Sequence, residues 1–207
     1  MERFMGQAEP RFEKEPQIRR VETEPEYPIL LAIFTSPTPG APMIQHARIS
    51  AIPGVGLEGD RYAERIGTYS ETRRRKKARI MPDNDHQVSI ISSSGIDQAN
   101  AILSQLGVTR FKRSETRRNL VVSMSPDVLN ALVNKQFKIG SVLFEGVGYC
   151  DPCTRPAELL GRSPSDAEVF KTAFERKGGI RAKIINAGSI SIGNTIIPIE
   201  RFRFRSR

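Results

Sequence analysis

Short runs rich in Ile and Val, separated by Gly and Pro, dominate the hydrophobic pattern of the chain. Runs of this kind are typical of β-strands bounded by turns. The longest of them, PILLAIF (28–34), has the length of a strand. We therefore predict strands over the segments 28–34, 46–52, 87–92, 118–123, 136–139, 142–148, 180–186, 189–192 and 195–199.

Helical signals occur in only a few places. Residues 95–107 place apolar side chains on one face and end at a glycine, as helices often do. Residues 125–133 begin with Ser followed by Pro, which are favoured at the N-cap and at the first helical position. Residues 163–179 carry an apolar stripe, and Ser165 with Glu168 predicts a capping box at the start of that helix.

This order of elements predicts a mainly β fold with inserted helices. Many short strands with few helices favour a closed, β-barrel-like sheet, and the alternation of strands and helices is too irregular for a doubly wound sheet. No GxGxxG, P-loop or HExxH motif is present, which removes the commonest nucleotide-binding and zinc-protease interpretations.

Length and composition indicate one folded domain with polar ends. The chain has 207 residues, which suits a single core. Residues 1–27 are rich in Glu, Arg and Pro, so we expect a disordered or loosely attached extension. The domain itself is expected over 28–200, with a charged, mobile loop at 64–86 and a basic tail at 201–207.

The net charge of +9 indicates an anionic partner, such as nucleic acid or a phosphorylated cofactor. Much of the excess lies in RRRKKAR (73–79) and RFRFRSR (201–207). Phe interleaved with Arg suits stacking on bases, so a nucleic-acid-binding module is one hypothesis, although the alternation equally fits a last strand. No signal peptide and no run of about 20 apolar residues is present, so we expect a cytoplasmic protein without a membrane partner.

Both cysteines, Cys150 and Cys153, lie in the loop sequence CDPC. A structural zinc site needs about four Cys or His ligands, and His46 and His86 are the histidines of the chain, at spacings that match no common zinc finger. A thioredoxin-like dithiol would follow a strand, as this one does, but the surrounding βαβ pattern is missing. A zinc-stabilised or redox CxxC protein remains a second hypothesis.

Several arginines stand where neighbouring strands begin or where glycines turn the chain. A nearby cation favours the reactive thiolate of a loop cysteine, and Arg155 is the local candidate. Arg61 follows two turn glycines, Arg118 and Asn119 open a strand, and Arg181 follows a glycine pair. If they converge beside the cysteine loop, these side chains would form a pocket for an anionic ligand.

The ordered runs GLEGDRYA, HQVSII, ETRRNLVV, FKIGSVLFEG, CDPCTR and GGIRAKIINAGSISIGNTI together resemble the MOSC domain. This family is named for the C-terminal domain of molybdenum cofactor sulfurases. The resemblance covers roughly residues 40–200 and identifies a stand-alone, bacterial-type member, because nothing here is similar to the pyridoxal-phosphate domain of the sulfurases. It implies a closed β-barrel-like fold related to the β-barrel domain of pyruvate kinase.

The resemblance also implies a function and a set of site residues. Cys153 matches the cysteine that serves as molybdenum ligand or persulfide carrier in the family, so it is the expected catalytic residue. Its implied partners are molybdopterin or a sulfur donor or acceptor protein. Reduction of N-hydroxylated compounds is an implied activity, put in doubt because the N-terminal β-barrel domain of the molybdenum reductases is missing. No pyridoxal phosphate site is expected.

The cofactor-binding residues expected from the cysteine loop, the arginines and the matched motifs are Arg61, Arg118, Asn119, Cys150, Arg155 and Arg181. The pterin cofactor carries a phosphate, which a pocket of arginines would bind. We therefore expect Cys153 at the floor of a cleft, with Arg118 and Arg181 within reach.

Overall fold

A computed structural model describes residues 27–63 and 86–199 of the chain. The expectations for the N-terminal extension, the loop at 64–85 and the C-terminal tail concern residues outside these ranges. The two basic clusters on which the nucleic-acid hypothesis depends, 73–79 and 201–207, also lie outside them.

The described residues form eleven strands, four α-helices and one 3-10 turn at Ser114–Thr116. The strands are β1 (Leu30–Thr35), β2 (Ile44–His46), β3 (Arg48–Ile52), β4 (Gly56–Leu57), β5 (Val88–Ser92), β6 (Leu120–Val122), β7 (Gln136–Ile139), β8 (Val142–Tyr149), β9 (Ile180–Ile184), β10 (Gly188–Ser191) and β11 (Ile196–Ile199). The helices are α1 (Ser93–Gln105), α2 (Pro126–Asn130), α3 (Arg155–Leu159) and α4 (Pro164–Ala173).

Eight strands form one curled sheet in the order β11-β7-β8-β9-β5-β6-β1-β2. Neighbouring strands in this sheet are antiparallel, except that β5 and β6 run parallel to each other. The sheet closes because Ile29, just before β1, bridges Thr195, just before β11. Two backbone hydrogen bonds reinforce this closure, from Leu30 to Asn194 at 2.9 Å and from Ile196 to Pro28 at 2.7 Å. The expected mainly β, barrel-like fold is therefore confirmed.

Three strands of the barrel, β1, β5 and β6, bury both of their faces. Inside the curled sheet, Leu30, Ile90, Phe137 and Phe144 join a core that also takes in residues of the smaller sheet, β10-β3-β4. On the outer face, a second core packs α1 and α4 against the sheet; its members include Phe34, Ile91, Val121, Ile96, Leu103, Phe170 and Phe174. Strands buried on both faces have nearly continuous apolar sequences. This explains why apolar and polar residues do not alternate regularly along β1 and β5.

The elements depart from the sequence predictions at several points, and the two-residue strand β4 was not predicted. The segment 46–52 is two strands, because the chain leaves the main sheet at Ala47 to pair with β10. Helix α3 was not predicted, since five residues are too few to show a helical period. Helix α4 begins after Ser163, whose Oγ accepts a hydrogen bond from the Asp166 amide at 3.1 Å. The capping role predicted for Ser165 is therefore wrong.

None of the helices in the described ranges is long and apolar enough to cross a bilayer.

Gly179, immediately before β9, offers a test of the close packing at this end of the barrel. It has a φ of +88°, and a Cβ there would lie 2.0 Å from the carbonyl oxygen of Ile90. Gly54 is the matched control, because its φ is +72° but a Cβ there would meet no atom within 4 Å. Both alanine variants carry left-handed strain, but only Gly179→Ala adds a backbone clash.

We predict that urea unfolding will show Gly179→Ala to be less stable than Gly54→Ala by about 3 kcal/mol. Equal losses of stability for the two variants would contradict the packing described here.

Candidate functional site

The side chain of Asn119, just before β6, joins three parts of the barrel end. It is buried, and its Oδ1 accepts hydrogen bonds from the amide and the hydroxyl of Ser89, at 3.1 and 2.8 Å. Its Nδ2 donates to the Phe34 carbonyl at 3.2 Å and to the Asp60 carboxylate at 3.1 Å. An amide side chain has two donors and two acceptor sites, so these four bonds use its full capacity. Asn119 therefore positions its neighbours rather than offering an atom to a ligand.

Asp60 is a buried carboxylate that fixes the loop after β4. One oxygen accepts from the Ser36 amide at 3.0 Å as well as from Asn119, and the other accepts from the Tyr62 amide at 3.0 Å. The backbone amide of Arg61 in turn donates to the Ser36 carbonyl at 2.9 Å. These bonds hold Arg61 and Tyr62 against the end of β1.

Arg117 extends its guanidinium into the same region. Its backbone is left-handed, with a φ of 62°, and its Nη atoms donate to the Ala41 carbonyl at 2.5 Å and the Ser36 hydroxyl at 3.0 Å. Burial lowers the pKa of Arg117, and repulsion from Arg61 and Arg155 lowers it further, while Asp60 opposes the shift. Arginine stays protonated in proteins, so the charge remains and repels the other two. We call Arg61, Arg117 and Arg155 the arginine cluster.

Arg61 is the member of the cluster with an unused donor. Its guanidinium lies 4.9 Å from the centre of the Tyr62 ring, and Nη2 is 3.4 Å from the Tyr62 hydroxyl. Its Nε is buried and has no hydrogen-bond partner in the part of the chain that the structure describes. A buried donor without a partner is unfavourable, and an anion bound beside it would remove that penalty.

Cys153 lies on the loop that leads into α3, two residues before Arg155. The thiol is exposed, and neither cysteine is in a disulfide. Arg155 pairs with Glu158 at 3.5 Å, but both side chains are well exposed, and such pairs contribute little stability. The charge of Arg155 acts on Arg117, as the smallest of the three effects that lower the pKa of Arg117. The loop that carries Cys153 therefore brings a cation within electrostatic range of Arg117.

Arg118 supports the backbone next to the other cysteine. Its Nε donates to the Gly178 carbonyl at 2.9 Å, and its Nη1 donates to the Thr116 carbonyl at 3.4 Å. A Cβ on Gly178 would lie 2.1 Å from the Cys150 carbonyl oxygen, and the Cys150 amide donates to the Gly179 carbonyl at 2.8 Å. Arg118 thus holds the Gly178–Gly179 pair, which packs directly on the backbone of Cys150.

Arg181 lies in β9, between the strands that carry Ser89 and Gly148 and directly opposite both residues. Its Nη2 lies 3.8 Å from the position that a Cβ of Gly148 would occupy. The Arg181 guanidinium therefore lies near Gly148, at the end of β8 that leads to Cys150. On its other side, Arg181 is the neighbour of Ser89, the residue that Asn119 binds.

A cavity of about 640 Å³ is lined by Cys150 and the Gly178–Gly179 pair. Neither Cys153 nor any arginine predicted for the site lines it. Cys150, rather than the exposed Cys153, contributes to the lining of this cavity. The expectation that Cys153 forms the floor of a cleft, with Arg118 and Arg181 within reach, stays a prediction.

Protein ligands for a metal do not gather in the described ranges. No three side chains among His, Cys, Asp and Glu come together there in a way that could hold an ion. His46 instead forms a hydrogen bond through Nε2 with the Thr35 hydroxyl, at 2.8 Å.

The family model of the MOSC domain matches residues 77–197, more than half of the chain. The chain belongs to the MOSC domain family. No curated protein matches it significantly, but several solved structures are similar. The YUAD protein of Bacillus subtilis is 22% identical with a TM-score of 0.63, over 82% of this chain and 94% of that chain.

The YiiM proteins are more distant MOSC-like structures. The Escherichia coli protein is 15% identical with a TM-score of 0.54, over 86% of this chain and 71% of that one. The Geobacillus stearothermophilus protein is 13% identical with the same TM-score of 0.54, over 84% and 76%. At these identities the similarity shows the shared fold alone.

Two residues of this candidate site, Asp60 and Arg117, lie in the motifs singled out from the sequence but are not among the residues expected to bind the cofactor. Asp60 stands in the GLEGDRYA run beside Arg61, and Arg117 directly precedes Arg118. The signal for Asp60 in the sequence was its position, as a polar residue between turn glycines and an arginine. The role of Arg117 depends on its left-handed backbone, which residue type does not reveal.

We predict that inorganic phosphate will stabilise the protein through the arginine cluster. A bound anion offsets the repulsion among Arg61, Arg117 and Arg155. At ten times its dissociation constant, phosphate should raise the melting temperature by roughly 3–6 °C relative to chloride at equal ionic strength. Arg61→Gln should remove this rise, whereas Lys138→Gln, on an exposed position of β7, should keep it. An unchanged rise in Arg61→Gln would contradict the assignment.

The Asn119 network gives a second prediction. Asn119→Ala leaves the Asp60 carboxylate and the Ser89 groups with unmade bonds, so unfolding in urea should show a loss of about 3 kcal/mol. Ser89→Ala, which removes only a hydroxyl from the network, should cost about 1 kcal/mol. A similar small loss for both variants would show that Asn119 is not the central member.

Proposed function

We propose that this MOSC protein binds the molybdenum cofactor beside the arginine cluster and uses Cys153 as molybdenum ligand or persulfide carrier. One observation carries the proposal. Arg61 and Arg155 both repel Arg117, whose pKa is lowered first by burial and then by these neighbours, and Arg155 lies two residues after the exposed Cys153. A site that concentrates positive charge at the cost of repulsion is suited to an anionic ligand.

The donor set fits the phosphate of the pterin cofactor. The buried Nε of Arg61 has no partner in the described residues, and guanidinium groups bind phosphate oxygens in a bidentate manner. Arg118 and Arg181 flank the backbone that leads to the cysteines. Asn119 and Asp60 would hold the loop that carries Arg61 in place while the phosphate is bound.

The exposed thiol suits either role of Cys153. A thiolate is both a soft ligand for a transition metal and the nucleophile that carries persulfide sulfur. When bound, the cofactor supplies a redox-active metal, and reduction of N-hydroxylated compounds is the reaction class that we assign to this form. Electrons would come from a separate redox protein.

In the carrier form, the thiolate of Cys153 attacks the outer sulfur of a persulfide on a donor protein. A bond forms between Cys153 Sγ and that sulfur, the sulfur–sulfur bond of the donor breaks, and the donor leaves as a thiolate. A sulfur acceptor then completes the transfer by the same exchange.

The test is elemental analysis of protein purified from a host that makes molybdopterin. We predict that Cys153→Ser loses about tenfold or more of the molybdenum or of the cyanide-labile sulfur that the parent protein holds. Cys150→Ser is the matched control for molybdenum and should retain it. If Cys153→Ser retains both molybdenum and labile sulfur at parental levels, the proposal is wrong.

A further inference from the structure

The cavity of about 640 Å³ beside Cys150 has a different character from the arginine cluster. Its size lies within the range of small-molecule sites. Its charged lining includes both signs: Asp127, Asp151 and Glu175 are acidic, and Lys171 and Arg176 are basic. We call it the Cys150 cleft.

The walls of the Cys150 cleft are fixed by backbone contacts. Arg176 has a left-handed φ of 61°, and its carbonyl accepts a hydrogen bond from the Asn130 side chain of α2 at 3.1 Å. The Gly178–Gly179 pair, which also lines the cleft, packs on the Cys150 backbone and is hydrogen-bonded to it at 2.8 Å. The charged groups are therefore carried by a defined backbone frame that includes Cys150.

Most of these charges are available to a ligand. Lys171 contacts Glu168 at 3.2 Å on the exposed side of α4. Among the described residues, Arg176 and the three acidic side chains of the cleft form no ion pair within 4 Å. Cations and carboxylates on the walls of one cavity complement a ligand that itself carries a carboxylate and an ammonium group.

We propose that the Cys150 cleft binds a small zwitterionic thiol of amino-acid or short-peptide type, in its persulfide form, and that Cys150 takes its outer sulfur. Arg176 and Lys171 would bind the carboxylate of the ligand, and Glu175 with Asp127 or Asp151 would bind its ammonium group. This arrangement places the ligand sulfur against the thiol on the wall. The inference rests on the sulfur-carrier form of the proposed function.

The transfer balances without an added oxidant. The Cys150 thiolate attacks the outer sulfur of R–S–SH, a bond forms from Cys150 Sγ to that sulfur, and the sulfur–sulfur bond of the persulfide breaks. The leaving thiolate R–S⁻ takes up a proton. The thiolate of Cys153, which lies three positions further along the same loop, then attacks the sulfur held on Cys150 and frees the Cys150 thiolate.

The experiment uses the full chain carrying Cys153→Ser, in which Cys150 is the only thiol. Cystine serves as the zwitterionic probe and bis(2-hydroxyethyl) disulfide as the uncharged one, because both react by the same attack of a thiolate on sulfur. Mass spectrometry of the intact protein gives the two rates. For each thiol, the measured quantity is the rate with cystine divided by the rate with bis(2-hydroxyethyl) disulfide. We expect this ratio to be about tenfold higher for Cys150 in the protein than for N-acetylcysteine in solution, because paired charges in the cleft would bind cystine.

Variants of the cleft separate binding from simple access. Arg176→Gln and Glu175→Gln should each lower the rate ratio about fivefold to tenfold, since each removes one charge that binds the probe. Lys138→Gln, outside the cleft, should leave the ratio unchanged. The uncharged disulfide reports access to Cys150 in every variant, so a change in local packing affects both rates and cancels in the ratio.

A parental ratio equal to that of N-acetylcysteine, or a ratio that Arg176→Gln and Glu175→Gln leave unchanged, would overturn the inference. Neither result depends on molybdenum, since the exchange is measured with disulfides alone. Loss of molybdenum binding in the elemental analysis would conversely leave the rate ratio as it is. The two proposals therefore fail separately.

Discussion

The bond between Asn119 and Asp60 is the interaction on which the rest of the site depends. Arg61 and Arg117 repel each other, and neither would stay in place without a frame that resists the repulsion. Asn119 provides that frame because its four hydrogen bonds reach β1, β5 and the loop after β4 at once. A buried polar network that is fully satisfied is rigid, while one with a missing partner is costly.

The Gly178–Gly179 pair explains why two cysteines so close in sequence face different surroundings. Side chains at these positions would overlap the carbonyls of Cys150 and Ile90. The two glycines that lead into β9 therefore pack with their backbone directly against the backbone of Cys150 and Ile90. Cys150 is consequently fixed at the end of β8, where it lines the cleft, whereas Cys153 is exposed on the following loop. The apparent symmetry of the CDPC motif is lost once the backbone is folded.

The parts of this structure that could be predicted from sequence are those decided by local patterns. Runs of Ile and Val predicted the barrel strands, and the Ser–Pro pair at 125–126 predicted the start of α2. The division of 46–52 into two strands could not be predicted, because pairing with β10 is a contact between distant parts of the chain. The roles of Asn119 and Arg117 could not be predicted for the same reason. Asn119 depends on partners in three distant elements, and Arg117 reaches Ser36 and Ala41 only because its own backbone is left-handed.

The charge patterns at the two cysteines support different ligands for each. Around Cys153, like charges are held together and a buried donor of Arg61 has no partner in the described residues, so an anion removes both penalties. Around Cys150, charges of both signs line one cavity, and an anion would meet three carboxylates as well as two cations. Only a ligand that carries both charges matches that lining. The division of labour that we propose for the two thiols therefore follows from electrostatics, with Cys150 as the proposed receiving thiol and Cys153 on the loop of Arg155, near the proposed phosphate site.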